Sequence, residues 1–597
     1  MSEEKQHHGR HPPDRDAVPT LASLGVDLHP DTYRYCEDSQ ALADAIGGNR
    51  LRDVFANWIV VAAAFSACMG GLLFGFDQGI LSIVLTMKQF LNQFPETDPA
   101  QDSGAAFNKG IMTGLLELGA FLGAIQAGYL ADRYSRKKAI AIGSAWFIVG
   151  SIIQAASFSY AQLVVGRFVG GVGIGFLSSV APMYISEIAP PNVRGAFLAL
   201  EGATIVIGIV IMFYITYGTR HIPDDWSFRV PFVIQVAPCI FLGLGLWKLP
   251  YSPRWLAQVG RDREALDALV RLRGTPSTDP RVQAEWITIR AEALRNREVI
   301  VMAHPTIAQK AGLAAEIKLE IAAWIDMFKP GILRRTMIGV MLMVFQQFQG
   351  INALIYYSPT LFEQLGLGYE MQLTMSGVLN VCQMVATTSS FFYLDKIGRK
   401  PPLLLGSVVN TISHVIVAVM IAKFSHDWPN HQKEAWVGVS FILIFCFSFG
   451  LGWSPVPWAL PAEVHASSRR AKGVAITTCC NWLFNFIIGV ITPPMIQHIK
   501  WGTFLFFAAF SFMSAIWTWF FCPETKGVSL EGLDRIFGTK AGVEEIDAKA
   551  DILHAIIGIS STTGRNDVPA LGTGYQNDEI SDKGAAFKGQ SEFVERV

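Results

Sequence analysis

The chain has 597 residues; 51% are hydrophobic, only 16% are charged, and the formal net charge is −1. A soluble chain of this length normally carries more charge. The charged residues crowd into residues 1–56, 251–335 and 523–597 and leave long stretches almost free of charge. This pattern excludes an ordinary soluble protein and predicts a membrane protein with many spans.

A helix needs about twenty apolar residues to cross the hydrocarbon core of a bilayer. Twelve such stretches follow one another, and a long polar stretch divides them six and six. We therefore predict an all-α membrane protein with two six-helix bundles joined by a helical linker. The predicted spans are residues 58–85, 110–131, 139–158, 162–185, 196–218, 230–250, 337–362, 372–394, 403–423, 436–462, 472–497 and 502–522.

The expected domains are a tail at 1–56, a bundle at 57–250, the linker at 251–335, a second bundle at 336–522 and a tail at 523–597. Alternate loops are rich in basic residues, and the positive-inside rule places these loops, the linker and both termini in the cytoplasm. We expect the tails to be solvated chain. The basic loop residues are Arg133, Arg136, Lys137 and Lys138; Arg194; Lys396, Arg399 and Lys400; and Arg469, Arg470 and Lys472.

Acid–arginine spacings recur in both halves of the chain. The matched pairs are Asp132–Arg136 and Asp395–Arg399, four residues apart, and Glu187–Arg194 and Glu463–Arg470, seven residues apart. The same order in each half predicts a duplicated six-helix unit. Parallel repeats of six helices around a central site are a transporter architecture.

Several motifs then resemble the sugar porter family of the major facilitator superfamily, most closely the monosaccharide transporters of fungi. The resemblance runs from about Trp58 to Phe537 and implies alternating access in the plasma membrane by a chain that functions as a monomer. The motifs are GYLADRYSRKK (Gly128–Lys138), GRFVGGVGIG (Gly166–Gly175), PMYISEIAPPNVRG (Pro182–Gly195), PYSPRWL (Pro250–Leu256), QQFQGINALIYY (Gln346–Tyr357), DKIGRK (Asp395–Lys400), PWALPAEV (Pro457–Val464) and PETKG (Pro523–Gly527).

The charged motif residues are expected to form a cytoplasmic gate. The resemblance implies that they pair between the two bundles and favour the outward-open state, since ion pairs are strong when made and switchable when the partners separate. The alternative is that they only fix the topology. The candidate gate residues are Asp132, Arg133, Arg136, Glu187, Arg194, Arg254, Asp395, Arg399, Glu463 and Arg470.

Amides within apolar helices predict the substrate site. Buried amides need polar partners, which are either other helices or a ligand. Amides donate and accept, as the hydroxyls of a neutral sugar require, and a Trp face suits the apolar face of a pyranose. The resemblance implies that the sugar contacts are Gln346, Gln347, Asn352, Tyr356, Asn380, Trp458 and Asn481. Trp482, next to Asn481, is expected to serve the closure on the cytoplasmic side.

One position departs from the family pattern. A glutamine is common on the fifth span, but this chain has Gly202 there with Glu201 beside it. A sugar hydrogen bond is therefore either missing or supplied by Glu201. A glucose-like hexose remains the expected substrate, with a pentose next, and a polyol would suit the same amides.

Asp77 lies in the first predicted span, where an ionised residue costs roughly 2.5–3.5 kcal/mol on insertion scales. We predict that Asp77 accepts the proton of a sugar–proton symporter and that Arg167, on the fourth span, is its switchable partner. The alternatives are a proton-independent facilitator with the same site, and a sugar sensor that signals through its tails.

No metal-ligand spacing, nucleophilic triad or phosphate loop is visible in the sequence. The glycines of GRFVGGVGIG lack the strand context of a dinucleotide loop, and Gly171 and Gly175 have the small-xxx-small spacing of packed membrane helices. We therefore expect no enzyme activity, no cofactor and no nucleic-acid partner. The expected partners are the sugar, protons and the lipid bilayer.

Overall fold

A computed structural model of the chain describes residues 20–37, 41–42, 45, 58–190, 194–310, 312–526, 528, 533, 536–538 and 541–557. The regular elements in this part of the chain are all helices. Eleven helices among the described residues are long and apolar enough to cross a membrane. Each coincides with one of the twelve predicted spans.

The first half contains spans 1 to 6. They are Trp58–Val84, Ala105–Tyr134, Arg136–Ala155, Tyr160–Ile188, Arg194–Thr219, and the broken sixth span Trp226–Ile234 with Val236–Lys248. The sixth span breaks at Gln235, three residues before Pro238, whose ring cannot donate to the helix ladder.

The second half contains spans 7 to 12. They are Leu333–Phe348 with Ile351–Gln364, Tyr369–Ile397, Lys400–Phe424, Gln432–Leu451 with Val456–Val464, Ser467–His498, and Gly502–Phe521. Span 7 breaks at Gln349–Gly350, where Gly350 has a φ of +90°. A Cβ at Gly350 would lie 2.8 Å from the Phe507 ring, so both the backbone conformation and the space require glycine.

Span 8 is the predicted span that is not among the eleven apolar helices. Its 29 residues are long enough to cross a bilayer. It is less apolar because it carries several polar side chains that are buried within the protein. These are Gln372, Ser376, Asn380, Gln383 and Thr387.

Glycines allow spans 2 and 4 to pack closely. A Cβ on Gly171 would lie 2.0 Å from the carbonyl oxygen of Leu116, and a Cβ on Gly175 would lie 2.1 Å from that of Ala120. No side chain fits at those distances. Gly171 and Gly175 are therefore packing residues, as their spacing indicates.

The linker forms a helical layer at one end of the bundle, which we call the linker end. Its helices are Pro253–Gln258, Asp262–Arg273, Pro280–Ala303, Pro305–Ala308 and Leu313–Asp326. Trp255, Leu266 and Trp286 form its apolar core.

Parts of both tails pack on this layer. Leu21 and Val26 of the first tail, and Leu553 and Ile556 of the last helix Ala541–Ile557, belong to the same apolar cluster. The expectation that the tails are solvated chain is therefore wrong for these segments. The apolar residues in the tails are few and scattered, so the sequence did not indicate that they pack against the linker.

Candidate functional site

A continuous chain of amides runs across spans 7, 10 and 11. Gln346 Nε2 donates to the Trp453 carbonyl at 2.7 Å, and Asn481 Nδ2 donates to Gln346 Oε1 at 2.9 Å. Asn352 Nδ2 donates to Gln347 Oε1 at 2.6 Å. Gln347 Nε2 lies 3.5 Å from Gln346 Oε1 and joins the two parts.

The break in span 7 creates this arrangement. Residues five apart point to different sides of a continuous helix, since neighbours on one face are three or four apart. The turn at Gly350 restarts the helix and brings Asn352 against Gln347. Broken helices with exposed polar groups are how transporters build a site at membrane depth.

Asn380 and Gln383 add two acceptors from span 8. Both are buried, and neither Asn380 Oδ1 nor Gln383 Oε1 receives a hydrogen bond from the described residues. A buried acceptor without a donor is costly, so a ligand hydroxyl would be favoured there. Asn380 is a predicted sugar contact, and Gln383, one turn further along the same helix, was not predicted.

The two predicted tryptophans lie in different environments. Trp458 is 37% exposed, unlike the six other predicted sugar contacts, which are all buried. Trp482 is fully buried, and its ring centroid lies 4.9 Å from that of Phe74 on span 1. Trp482 therefore joins the two halves, which suits its expected part in closure.

Tyr356 is a second contact point between the halves. Its hydroxyl lies 2.6 Å from Glu117 Oε1 on span 2 and 3.1 Å from Gln78 Nε2 on span 1. Asn485 Nδ2 of span 11 also donates to it at 3.1 Å. Sequence reasoning missed Glu117, although it is an acid in an apolar stretch, GLLELGAF, and the argument used for Asp77 applies to it equally.

Asp77 and Arg167 form a buried ion pair. Arg167 Nη1 lies 2.9 Å from Asp77 Oδ1, and Arg167 Nε donates to the Met112 carbonyl at 3.2 Å. The two side chains are 1% and 0% exposed. Asp77 Oδ2 and Arg167 Nη2 have no hydrogen-bond partner in the described part of the chain.

Glu201, on span 5, lies close to span 1 in space. A Cβ on Gly71 would lie 3.2 Å from Glu201 Oε1. The carboxyl group thus faces the contact between spans 1 and 5. No described contact joins it to the amides of span 7.

The candidate gate residues at the linker end pair within each half. Arg136 contacts Asp132 at 3.0 Å and Glu187 at 2.8 Å, and Arg399 contacts Glu463 at 2.9 Å. Other candidates join the linker: Arg133 contacts Glu316, and Arg254 contacts Glu292 at 2.6 Å. Arg194 is half-buried and Arg470 is exposed, while the side chain of Asp395 lies outside the described part of the structure.

We expected these residues to pair across the two halves. The described ion pairs instead lie within one half or reach the linker. An ion pair across the halves occurs at the opposite end. There Arg220, after span 5, makes two hydrogen bonds to Glu370, at the start of span 8, at 3.0 and 2.7 Å. Neither residue was predicted, because neither belongs to a repeated motif.

The described residues hold no group of three or more His, Cys, Asp or Glu side chains that could bind a metal ion. The candidate site consists of amides in the second half, a buried carboxylate–guanidinium pair in the first half, and the Tyr356 phenol, which contacts both halves. Such groups bind and orient a neutral polar ligand. Broken spans that carry such groups are typical of membrane transporters.

The comparisons with known proteins identify the family. The family of sugar (and other) transporters matches residues 63–537, and the chain belongs to it. Members of this family are transporters, not enzymes. The sequence-based assignment to sugar transporters of the major facilitator superfamily is thereby confirmed.

Curated relatives support the assignment. An MFS glucose transporter of Aspergillus flavus is 31% identical over 536 residues, covering 83% of this chain and 96% of that protein. A high-affinity glucose transporter of Kluyveromyces lactis is 31% identical over 494 residues, covering 80% and 85%. The sugar transporter STL1 of Saccharomyces cerevisiae is 32% identical over 475 residues, covering 78% and 79%.

Solved structures share the fold. The proton:xylose symporter XylE, solved with 6-bromo-6-deoxy-D-glucose, matches with a TM-score of 0.64 at 23% identity, covering 80% of this chain and 99% of that one. The inward-open xylose transporter XylE from E. coli matches with a TM-score of 0.60 at 24% identity, covering 80% and 99%. The fold is that of the major facilitator superfamily.

Proposed function

We propose that this chain carries a glucose-like hexose across the plasma membrane by alternating access and couples the movement to protons. The observation that carries the proposal is the amide chain from Asn352 to Asn481. This amide chain lies on spans 7, 10 and 11 of the second half. Tyr356, also on span 7, contacts the first half, where Gln78, the residue after Asp77, donates to its hydroxyl at 3.1 Å. Asp77 is itself paired with Arg167.

The chemistry of the amides favours a neutral sugar. Gln346, Gln347, Asn352 and Asn481 present both donors and acceptors, and Asn380 adds a buried acceptor. A hydroxyl can donate and accept at once, so a polyhydroxyl ligand can exchange these bonds for its own. The glucose transporters among the curated relatives support a hexose.

The coupling proposal rests on Asp77 and Arg167. An ion pair in dry surroundings is stable only while both groups are charged, so protonation of Asp77 releases Arg167. Both groups lie in the first half, on spans 1 and 4. A proton can therefore change how these spans pack against each other and against Tyr356.

We further propose that the linker end faces the cytoplasm, because the loops rich in Lys and Arg lie there. Both tails, whose described segments pack on the linker, are then cytoplasmic. The Arg220–Glu370 contact is then extracellular. In this conformation the pair joins the two halves on the outer side.

Uptake by the purified protein in liposomes tests the proposal. Labelled glucose should enter, unlabelled glucose should compete better than xylose or glycerol, and the external medium should become alkaline on sugar addition. Asp77→Asn should abolish accumulation against a gradient, whereas Asp224→Asn, the same change in an exposed loop, should not. Glucose uptake without alkalinisation would indicate a facilitator. Binding without uptake would indicate a sensor.

A further inference from the structure

Glu117 is a second carboxyl group in the interior of the first half. It is 0% exposed, and its Oε2 atom has no hydrogen-bond partner among the described residues. Its Oε1 atom lies 2.6 Å from the Tyr356 hydroxyl, which belongs to the second half. Neither the amide chain nor the Asp77–Arg167 pair accounts for an acid at this place.

The groups around Glu117 supply one positive charge for two acids. Span 1 contributes Asp77, span 4 contributes Arg167, and span 7 contributes the hydroxyl groups of Tyr356 and Tyr357. Span 11 contributes the uncharged amide of Asn485. Arg167 is already paired with Asp77 at 2.9 Å.

An unpaired ionised carboxylate in such surroundings is costly, and the group normally takes up a proton instead. The cluster is neutral when Asp77 is ionised, Arg167 is charged and Glu117 carries a proton. It is equally neutral when the proton is on Asp77 and Arg167 pairs with Glu117. Arg167 Nη2 and Glu117 Oε2, both buried and lacking partners among the described residues, are the atoms available for that second pairing.

We propose that Glu117 is a second proton-binding site, which shares one proton and the Arg167 guanidinium with Asp77. In the conformation described here the proton is on Glu117. Passage of the proton from Glu117 to Asp77 leaves the charge of the cluster unchanged and moves the ionised carboxylate from span 1 to span 2. The link to transport rests on the proposed function, because Tyr356 is both the partner of Glu117 and a predicted sugar contact.

Infrared spectroscopy of the full-length protein tests the protonation state without any sugar. The spectrum of the wild type minus that of Glu117→Gln, at neutral pH, should show the loss of a protonated carboxyl group. Gln retains a carbonyl that can accept from Tyr356, so the fold should persist. Gln78→Leu disturbs the same contact without removing an acid and should keep the signal. Loss of an ionised carboxylate in Glu117→Gln would overturn the proposal.

The sharing of Arg167 is tested in the Asp77→Asn background. There Arg167 has no aspartate partner, so Glu117 should be ionised, and adding Glu117→Gln should remove an ionised carboxylate. A Glu117 that is still protonated in Asp77→Asn would show that Arg167 is not shared.

Transport measurements connect the site to function. In liposomes, Glu117→Gln should still exchange labelled sugar at equal concentrations on both sides, but should lose accumulation driven by a proton gradient. Accumulation equal to that of the wild type would overturn the coupling role. If the wild type itself moves no sugar, the proposed function fails, while the infrared result still decides whether Glu117 binds a proton.

Discussion

Asn481 Nδ2 on span 11 lies 2.9 Å from Gln346 Oε1 on span 7, and the amide of Gln346 also donates to the carbonyl of Trp453 on span 10. Gln346 thus holds three elements of the second half together. In the proposed sugar site, the same amide atoms are those offered to a sugar hydroxyl.

Asn481→Ala should weaken sugar binding about tenfold, because removing one partner of a buried hydrogen bond costs roughly 1–3 kcal/mol. Titration calorimetry with the purified protein measures the change. Asn410→Ala is the matched control, since Asn410 donates to Gln349 at 2.7 Å outside the amide chain. It should lower the melting temperature and leave sugar affinity unchanged; an equal loss of affinity would argue against the amide site.

Gly175→Ala should destabilise the packing of spans 2 and 4. The added methyl group would lie 2.1 Å from the Ala120 carbonyl, and overpacking of this kind costs about 1–3 kcal/mol. Gly128→Ala, on span 2, adds the same group at a position where nothing lies within 4 Å. The melting temperature in detergent should fall for the first variant only.

The Arg220–Glu370 pair should hold the halves together at the end opposite to the linker. Glu370→Gln, or high salt, should widen the distance distribution between spin labels on Asp224 and Lys433, which are exposed on opposite halves at that end. The effect should be modest, since exposed charges are screened. An unchanged distribution in both conditions would show that the pair has no part in closure.

The Arg220–Glu370 contact should resist mild acid and break only when Glu370 takes up a proton. Hydrogen bonds from Arg220 hold the pKa of Glu370 below its ordinary value of 4.5. A lowered carboxyl pKa means that the contact is fully present above that ordinary value and is lost as the pH falls through the lowered one. The label distances should therefore be constant from neutral pH to about pH 5 and widen only in stronger acid.

The last helix should detach from the linker when its apolar face is changed. Leu553 is 7% exposed within the linker cluster, so Leu553→Asp would bury a charge and release Ala541–Ile557. Limited proteolysis should then cut near residue 540 several times faster. Asp551→Asn, at an exposed position of the same helix, should be cut at the wild-type rate; equal rates for both variants would contradict the docking.

An ion pair supports the same docking. Glu292 contacts Arg254 at 2.6 Å and Lys549 of the last helix at 3.1 Å. Burial opposes its ionisation, but Arg254, Lys549 and Arg194 outweigh burial and hold the pKa of Glu292 below its ordinary value. This contribution is present at neutral pH and is lost as the pH falls through the lowered pKa, so proteolysis by an acid-active protease should accelerate only there.

The positions of the spans followed from composition, because a bilayer requires about twenty apolar residues in every helix that crosses it. Span 8 was also predicted correctly, although it carries polar side chains, because those side chains are buried within the protein. The Asp77–Arg167 contact could also be expected, since a charge within an apolar span needs a partner and Arg167 is a basic residue in another span. Glu117 was equally visible and was overlooked.

Other features depended on which helices become neighbours. The amide chain exists because the turn at Gly350 rotates Asn352 onto Gln347, and no spacing in the sequence gives that rotation. Arg220 and Glu370 are 150 residues apart and belong to no motif, so only the packing of spans 5 and 8 could pair them. Local hydropathy determines which segments enter the membrane, whereas tertiary packing decides which polar groups meet there.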